Sequence, residues 1–171
     1  KFGGIDNPDI YLDETVLRMC DTHRRMFVQL ATQLIKEGKN DKAKEVLDYC
    51  EKVIPSTTVR HDYIYSSSKE MADDYAKVGD TKKAEDILCQ LAKNSVEYAS
   101  WYMSLDEVRF AGSYEECMRH FYILDDVCKA LEGLKDENGK PLQSAASYRH
   151  QFEQLYSLLE NMVGGVNPAR E

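Results

Sequence analysis

Breakers, bridges and long apolar runs are what this sequence has little of. Among 171 residues there are only 4 Pro and 9 Gly, so most of the chain is unpunctuated and free to form long regular elements. The 5 Cys include no CxxC pair; an odd number scattered through apolar-periodic segments excludes a disulfide scaffold and gives no zinc-finger spacing. No apolar run approaches the roughly 20 residues that cross a bilayer, and no charged leader followed by an apolar stretch is present. Basic residues are outnumbered, 22 Lys and Arg against 30 Asp and Glu, for a net charge of -8. Binding a phosphate backbone needs a basic face that releases counterions, so nucleic acid is excluded as the natural partner.

What is present is helical periodicity. Apolar residues recur at spacings of three and four almost throughout, while strand alternation is weak. Seven helices follow from the start and stop signals. The first runs from the N-cap Asp13 to Gly38, the second from about Asp41 to Ile54 before Pro55, and the third from about Asp62 to Val78 before Gly79. The fourth covers about Thr81 to Lys93, and the fifth starts at the cap Ser95 and ends before Gly112. Ser113 and Glu116 form the capping box of a sixth that reaches about Leu131, and a seventh covers about Ser144 to Met162. The turn-rich GLKDENGKPLQ between the last two is the one long loop.

Two segments repeat one another: GKNDKAKEVLDYC from Gly38 and GDTKKAEDILCQL from Gly79. The repeated order of Gly, polar positions, Lys-Ala and a distant Leu is that of a tetratricopeptide-like helical hairpin, whose period is about 34 residues. In the first unit Phe27, Leu30, Ala31 and Leu34 take the large and small positions of the first helix, with Ala43, Leu47, Cys50 and Pro55 on the second. Ser68, Met71, Ala72 and Tyr75 with Ala84, Leu88 and Leu91 form the second unit, and Trp101, Ser104, Leu105 and Val108 with Cys117, Phe121 and Leu124 the third. The interval from Ala43 to Ala84 is 41 residues and that from Ala84 to Cys117 is 33, so about seven extra residues fall in STTVRHDYI. Added helix or a longer connection absorbs them.

The expected architecture is therefore all-α: a tetratricopeptide-like superhelix of about three hairpins with the seventh helix as C-terminal cap, because one hairpin cannot bury its apolar face alone. Residues 1–12 read as a linker from a missing upstream region, 13–163 as the domain and 164–171 as a flexible tail. The chain starts at Lys1 without an initiator Met, and KFGGIDNPDI reads as the exit from something preceding it, so a fragment of a longer protein is expected.

Such folds bind peptide or protein segments along the first helices of each pair. By helical phase the groove candidates are Arg25, Val28, Thr32 and Lys36, then Lys69, Asp73 and Ala76, then Tyr102, Asp106 and Arg109. The alternative for the same residues is a solvated face without a dedicated ligand. The Lys and Asn carboxylate clamp of chaperone-binding relatives is not matched, because Val28 and Thr32 occupy two of its places.

Signals for chemistry are thin. Cys20 with His23 and Cys117 with His120 place thiol and imidazole one turn apart, as a zinc site requires, but the two pairs sit in helices that need not meet. The acid pairs Asp73-Asp74, Glu115-Glu116 and Asp125-Asp126 diverge by about 100° on a helix and read as solvated faces. None of the four His lies in a nucleophile signature, and no glycine-rich phosphate loop opens a helix. No catalytic residue, metal or cofactor is predicted. Of the tyrosines, Tyr75 is expected in the core and Tyr102 at the surface.

The segments FGGIDNPDIYLDETVLRMC, RRMFVQLATQLIKEGKNDKAKEVLDYCEKVIP, VRHDYIYSSSKEMADDYAKVGDTKKAEDI and SVEYASWYMSL resemble the C-terminal region of a family of bacterial multi-pass membrane proteins described as protein O-mannosyltransferase-like. The resemblance covers roughly Phe2 to Leu105, with NPDIYLDE its most specific part, and weakens after Gly112. It implies a membrane-embedded glycosyltransferase upstream and a helical-repeat tail facing the periplasm, without direct membrane insertion of its own. That tail would bind acceptor polypeptide or a partner, or else self-associate or dock on its own upstream membrane domain. No catalytic residue transfers from the resemblance to this chain.

Overall fold

The repeated glycines show how the helices end. In the computed structural model, which describes residues 3–164, Gly38 and Gly79 both adopt left-handed backbone, with φ of 75° and 87°. Each follows a helix and lets the chain fold back: Lys39 N–H donates to Leu34 O, and Asp80 N–H donates to Tyr75 O at 2.8 Å. An L side chain is strained in this conformation, which is why Gly recurs there. The helices so joined are α1 (Glu14–Lys36) and α2 (Asn40–Val53), then α3 (Ser68–Lys77) and α4 (Thr81–Met103). They are followed by α5 (Glu107–Gly133) and α6 (Gln143–Gly164). Among the described residues there are six helices and no strand, as an all-α fold requires.

The element boundaries correct the sequence reading at three places. Residues 62–67 are a loop, because the Asp62 carboxylate accepts from the N–H groups of Ile64 and Tyr65 and Ser67 is left-handed at φ 53°. The seven extra residues are thus a longer connection, with no added helix. No break occurs at Ser95: nothing between Thr81 and Met103 is Gly or Pro, and Ser95 is buried inside α4. Gly112 likewise ends no helix, since α5 starts at Asp106, whose carboxylate accepts from Arg109 N–H at 3.1 Å, and runs on through Ser113. A single interior Gly costs only about 1 kcal/mol, less than the burial of Phe110, Cys117 and Phe121 along the same helix returns. The fifth and sixth expected helices are thus reapportioned to α4 and α5, and the expected seventh, about Ser144 to Met162, is α6.

The described residues group into two compact units, one up to Leu91 and one from Ala92 onward. In the first, α1 packs on α2 and α3, and α2 on α3. Its core holds the repeat positions Ala31, Ala43, Leu47, Cys50, Met71, Ala72, Tyr75, Ala84, Leu88 and Leu91. Full burial of each of these Leu side chains contributes about 2 kcal/mol. Not every repeat position is inside: Leu30 is 49% exposed, and Phe27 packs edge-on to Tyr49 at 5.8 Å. Ile5 and Leu12 pack on the cluster of Cys20, Ile54 and Val59, so residues near the start belong to the core of this unit.

Arg24 is the largest fully buried side chain. Its guanidinium donates to the carbonyls of Ile54 (3.1 Å), Val59 (2.8 Å) and Arg60 (3.2 Å) and lies 3.5 Å from the Asp21 carboxylate. One cation thereby satisfies the backbone acceptors where the chain leaves α2. A second polar knot joins α2, α3 and the neighbouring helix starts: Tyr75 O–H donates to Asp48 at 3.1 Å, Lys83 pairs with Asp48 at 2.5 Å, and Lys44 pairs with Asp80.

In the second unit α5 packs on α6 around Ala99, Phe110, Cys117, Phe121 and Leu159. Phe121, Phe152 and Tyr156 form a ring cluster with centroids about 6 Å apart. Arg149 holds α6 to α5 through Asp125 and Glu132, both at 2.7 Å. Of the third repeat unit's positions, Cys117, Phe121 and Leu124 are buried and Leu105 packs against this cluster, while Trp101 is 55% and Val108 82% exposed. The stretch joining α5 to α6 is a closed turn in which Asp136 and Gly139 exchange a backbone hydrogen bond and Lys135 bridges Pro141.

Candidate functional site

The residues predicted for a groove fall in both units, seven in the first and three in the second, and Val28 is not on an open face but buried in the core. On α1, Arg25 donates to Tyr65 O at 3.1 Å and the Thr32 hydroxyl meets the buried Asp74 carboxylate, so both join α1 to other parts of its own unit. Lys36 is exposed in the last turn of α1. Lys69 and Asp73 pair with each other at 2.9 Å on α3. In the second unit Asp106 caps α5 and pairs with Arg109 at 3.4 Å. Tyr102 is half-buried, its ring 4.8 Å from Trp101 and 6.0 Å from His120, and burial pushes its hydroxyl pKa up. Tyr75 is fully buried, as expected for a core tyrosine.

The two Cys-x-x-His pairs form no metal cluster. His23 Nδ1 lies 2.7 Å from Met19 O, and the Cys117 thiol points at Ala99 O inside the core. No group of three or more potential metal ligands occurs among the described residues. Burial drives the Cys50 thiol to about 12 and the Cys128 thiol to about 11, which keeps both protonated and unreactive at neutral pH.

One cluster has the composition of a nucleophilic site. His61 Nδ1 is 2.9 Å from Ser68 Oγ, Ser66 Oγ is 2.6 Å from the same oxygen, and Glu51 lies 3.6 Å from His61 Nε2. Base, hydroxyl and carboxylate stand in the order that acyl transfer uses. All three hydroxyl and imidazole groups are buried, however, and Ser66 Oγ donates to Asp62 O at 2.6 Å. An attacking oxygen must reach its substrate; these groups instead pin the 54–67 connection to the start of α3.

The open feature of the second unit is a pair of apolar recesses that meet at Met162. The larger, about 750 Å³, is bounded by Leu105, Phe110, Ala111, Tyr114, Met162 and Val163, with Glu107 at its edge. The smaller, about 550 Å³, is bounded by Met103, Leu155, Leu158 and Met162, with Ser100, Ser104 and Asn161. Phe152, Leu155 and Leu159 pack α6 against the Phe110, Cys117 and Phe121 cluster, and sequence reasoning singled out no open surface on this helix. The signal was there: Leu158, Met162 and Val163 form a second apolar stripe at helical spacing, and all three are exposed. In the first unit a more polar recess of about 620 Å³ is lined by Leu17, Arg18, Asp21, Arg25 and Tyr65.

No helix among the described residues is long and apolar enough to cross a membrane. Comparison of the chain with protein-family models, with curated proteins and with solved structures gives no match.

Proposed function

We propose that the chain is a non-catalytic module that binds a protein or peptide segment, and that the recesses around Met162 are where it does so. The observation that carries this is the continuous apolar lining from Leu155 to Val163 left open to water. Exposed apolar surface forgoes about 25 cal/mol per Å², which a docked side chain recovers. The resemblance of Phe2 to Leu105 supports a place for the module as the C-terminal domain of a membrane glycosyltransferase of the O-mannosyltransferase-like kind, on the periplasmic face. Acceptor polypeptide or the parent's own membrane domain is then the segment bound.

The test is retention of extended polypeptide segments on a peptide array by the purified chain, compared with a Leu158→Glu, Met162→Glu double variant. Both positions are exposed, so the variant keeps its fold, checked by circular dichroism, and loses retention. Retention that survives the double substitution, or none by the parent chain, overturns the reading.

A further inference from the structure

The buried cluster around His61 fixes where its own protons sit. A hydroxyl has one proton to give. That of Ser66 goes to Asp62 O at 2.6 Å, because a carbonyl can only accept. At the 2.6 Å contact between the two hydroxyls Ser66 therefore accepts, and the proton of Ser68 is spent on it. Ser68 Oγ can then only accept from His61, so the 2.9 Å contact between them is a hydrogen bond donated by Nδ1–H. In a neutral ring this leaves the lone pair on Nε2. Nε2 lies 3.6 Å from Glu51 Oε1, a buried oxygen that accepts no hydrogen bond among the described residues. With the ring neutral, two acceptors face each other across a gap too wide for a hydrogen bond. A proton on Nε2 turns the same contact into an ion pair.

The chain beside the cluster is under strain. Ser66 and Ser68 flank Ser67, whose left-handed backbone at φ 53° is unfavourable for a residue with a side chain. Tyr65 accepts from Arg25 through its carbonyl and with it lines the polar recess of the first unit. Around the ring, α1 brings Asp21, whose carboxyl feels the His61 charge, and Arg24, which donates to the carbonyl of Arg60. From α2 come Glu51 and its neighbour Cys50, from α3 the Ser68 hydroxyl, and from the connection Asp62 and the exposed Arg60. We infer that His61 is a proton-operated latch on the connection between α2 and α3: the proton on Nε2 ties the ring to Glu51 as Nδ1–H ties it to Ser68, and its loss frees the α2 side. The latch is closed in mild acid and loosens as pH rises through the range where imidazoles titrate, about 6.5.

Two NMR measurements on the full chain between about pH 6 and pH 8, a window in which exposed carboxylates stay ionised, test this. Nitrogen–proton correlations of the His61 ring are expected to show the Nδ1–H tautomer at the upper end and a proton added at Nε2 on acidification. The Asp62 amide donates to Ser66 Oγ at 3.0 Å, inside the cluster. Its hydrogen exchange, corrected for the intrinsic effect of pH, is expected to be about fivefold slower at the acid end. In Glu51→Gln the new amide donates to the neutral Nε2, so exchange stays slow throughout and the pH response vanishes. An Nε2–H tautomer at the upper end, or exchange that does not respond to pH, overturns the inference. So does a response that survives Glu51→Gln, which assigns it to Asp21. The ring correlations are read on the parent chain and decide the matter even where the variant fails to fold. None of these readouts involves the recess around Met162, so the binding reading stands or falls separately.

Discussion

Arg24 shows at the scale of one residue how a buried charge is made tolerable. Desolvating a guanidinium costs several kcal/mol, and here three backbone carbonyls and the Asp21 carboxylate offset it. Truncating it strands those acceptors together, so Arg24→Met is expected to lower stability by about 3 kcal/mol, read as a fall in the urea midpoint at unchanged slope. A variant with the parent midpoint would show that the carbonyls find water instead. No sequence pattern announces this role, because its partners are main-chain atoms some thirty residues away. Asp13, in contrast, was legible, since an N-cap is decided within four residues: its carboxylate accepts from Val16 N–H at 2.8 Å.

At the scale of the element, the same substitution is expected to act with opposite sign at two glycines. Gly112 lies inside α5 with open space where a Cβ would stand, so Gly112→Ala raises stability by about 0.5–1 kcal/mol. Gly79 also has room, but at φ 87° the backbone itself resists, and Gly79→Ala lowers stability by about 1 kcal/mol. Thermal midpoints of the two variants against the parent check both. Gly79 was readable as a stop because the repeat places it there; Gly112 was misread because an isolated glycine looks the same in a turn and in a helix.

The clamp between α5 and α6 belongs to this scale too. Hydrogen bonds from Arg149 and then Lys129 hold the Asp125 carboxyl below the usual carboxylate range. A depressed folded-state pKa means that the ionised form favours the native state, in full above the unfolded value of about 4. That contribution is lost as pH falls through the lower folded value. Asp125→Asn is therefore expected to cost about 1 kcal/mol at pH 5–7 and progressively nothing below pH 4, by urea titration across that range. A gap that persists in acid would assign the effect to shape instead of charge.

For the whole molecule, charge is the property read directly from composition. With 30 acidic and 22 basic residues and a sequence pI near 5.1, solubility is expected to pass through a minimum close to pH 5 and to recover on either side, measured by light scattering at fixed protein concentration. Helical content was likewise legible, because a 3.6-residue period is written locally many times over. The recess around Met162 was not, since it depends on where the end of α6 stands against the start of α5. Leu158 and Met162 look like ordinary amphipathic-helix residues until that packing is known.

The turn from Lys135 to Pro141 gives the experimenter a handle on all of this. Its two arms are closed on each other by the Asp136 side chain, which accepts from the N–H groups of Asn138 and Lys140, and by backbone pairing beneath. Glu137 stands exposed at the tip of that closure. A reporter attached to its side-chain position would ride on a base already fastened, giving a fluorescent or affinity handle remote in sequence from both walls of the recess.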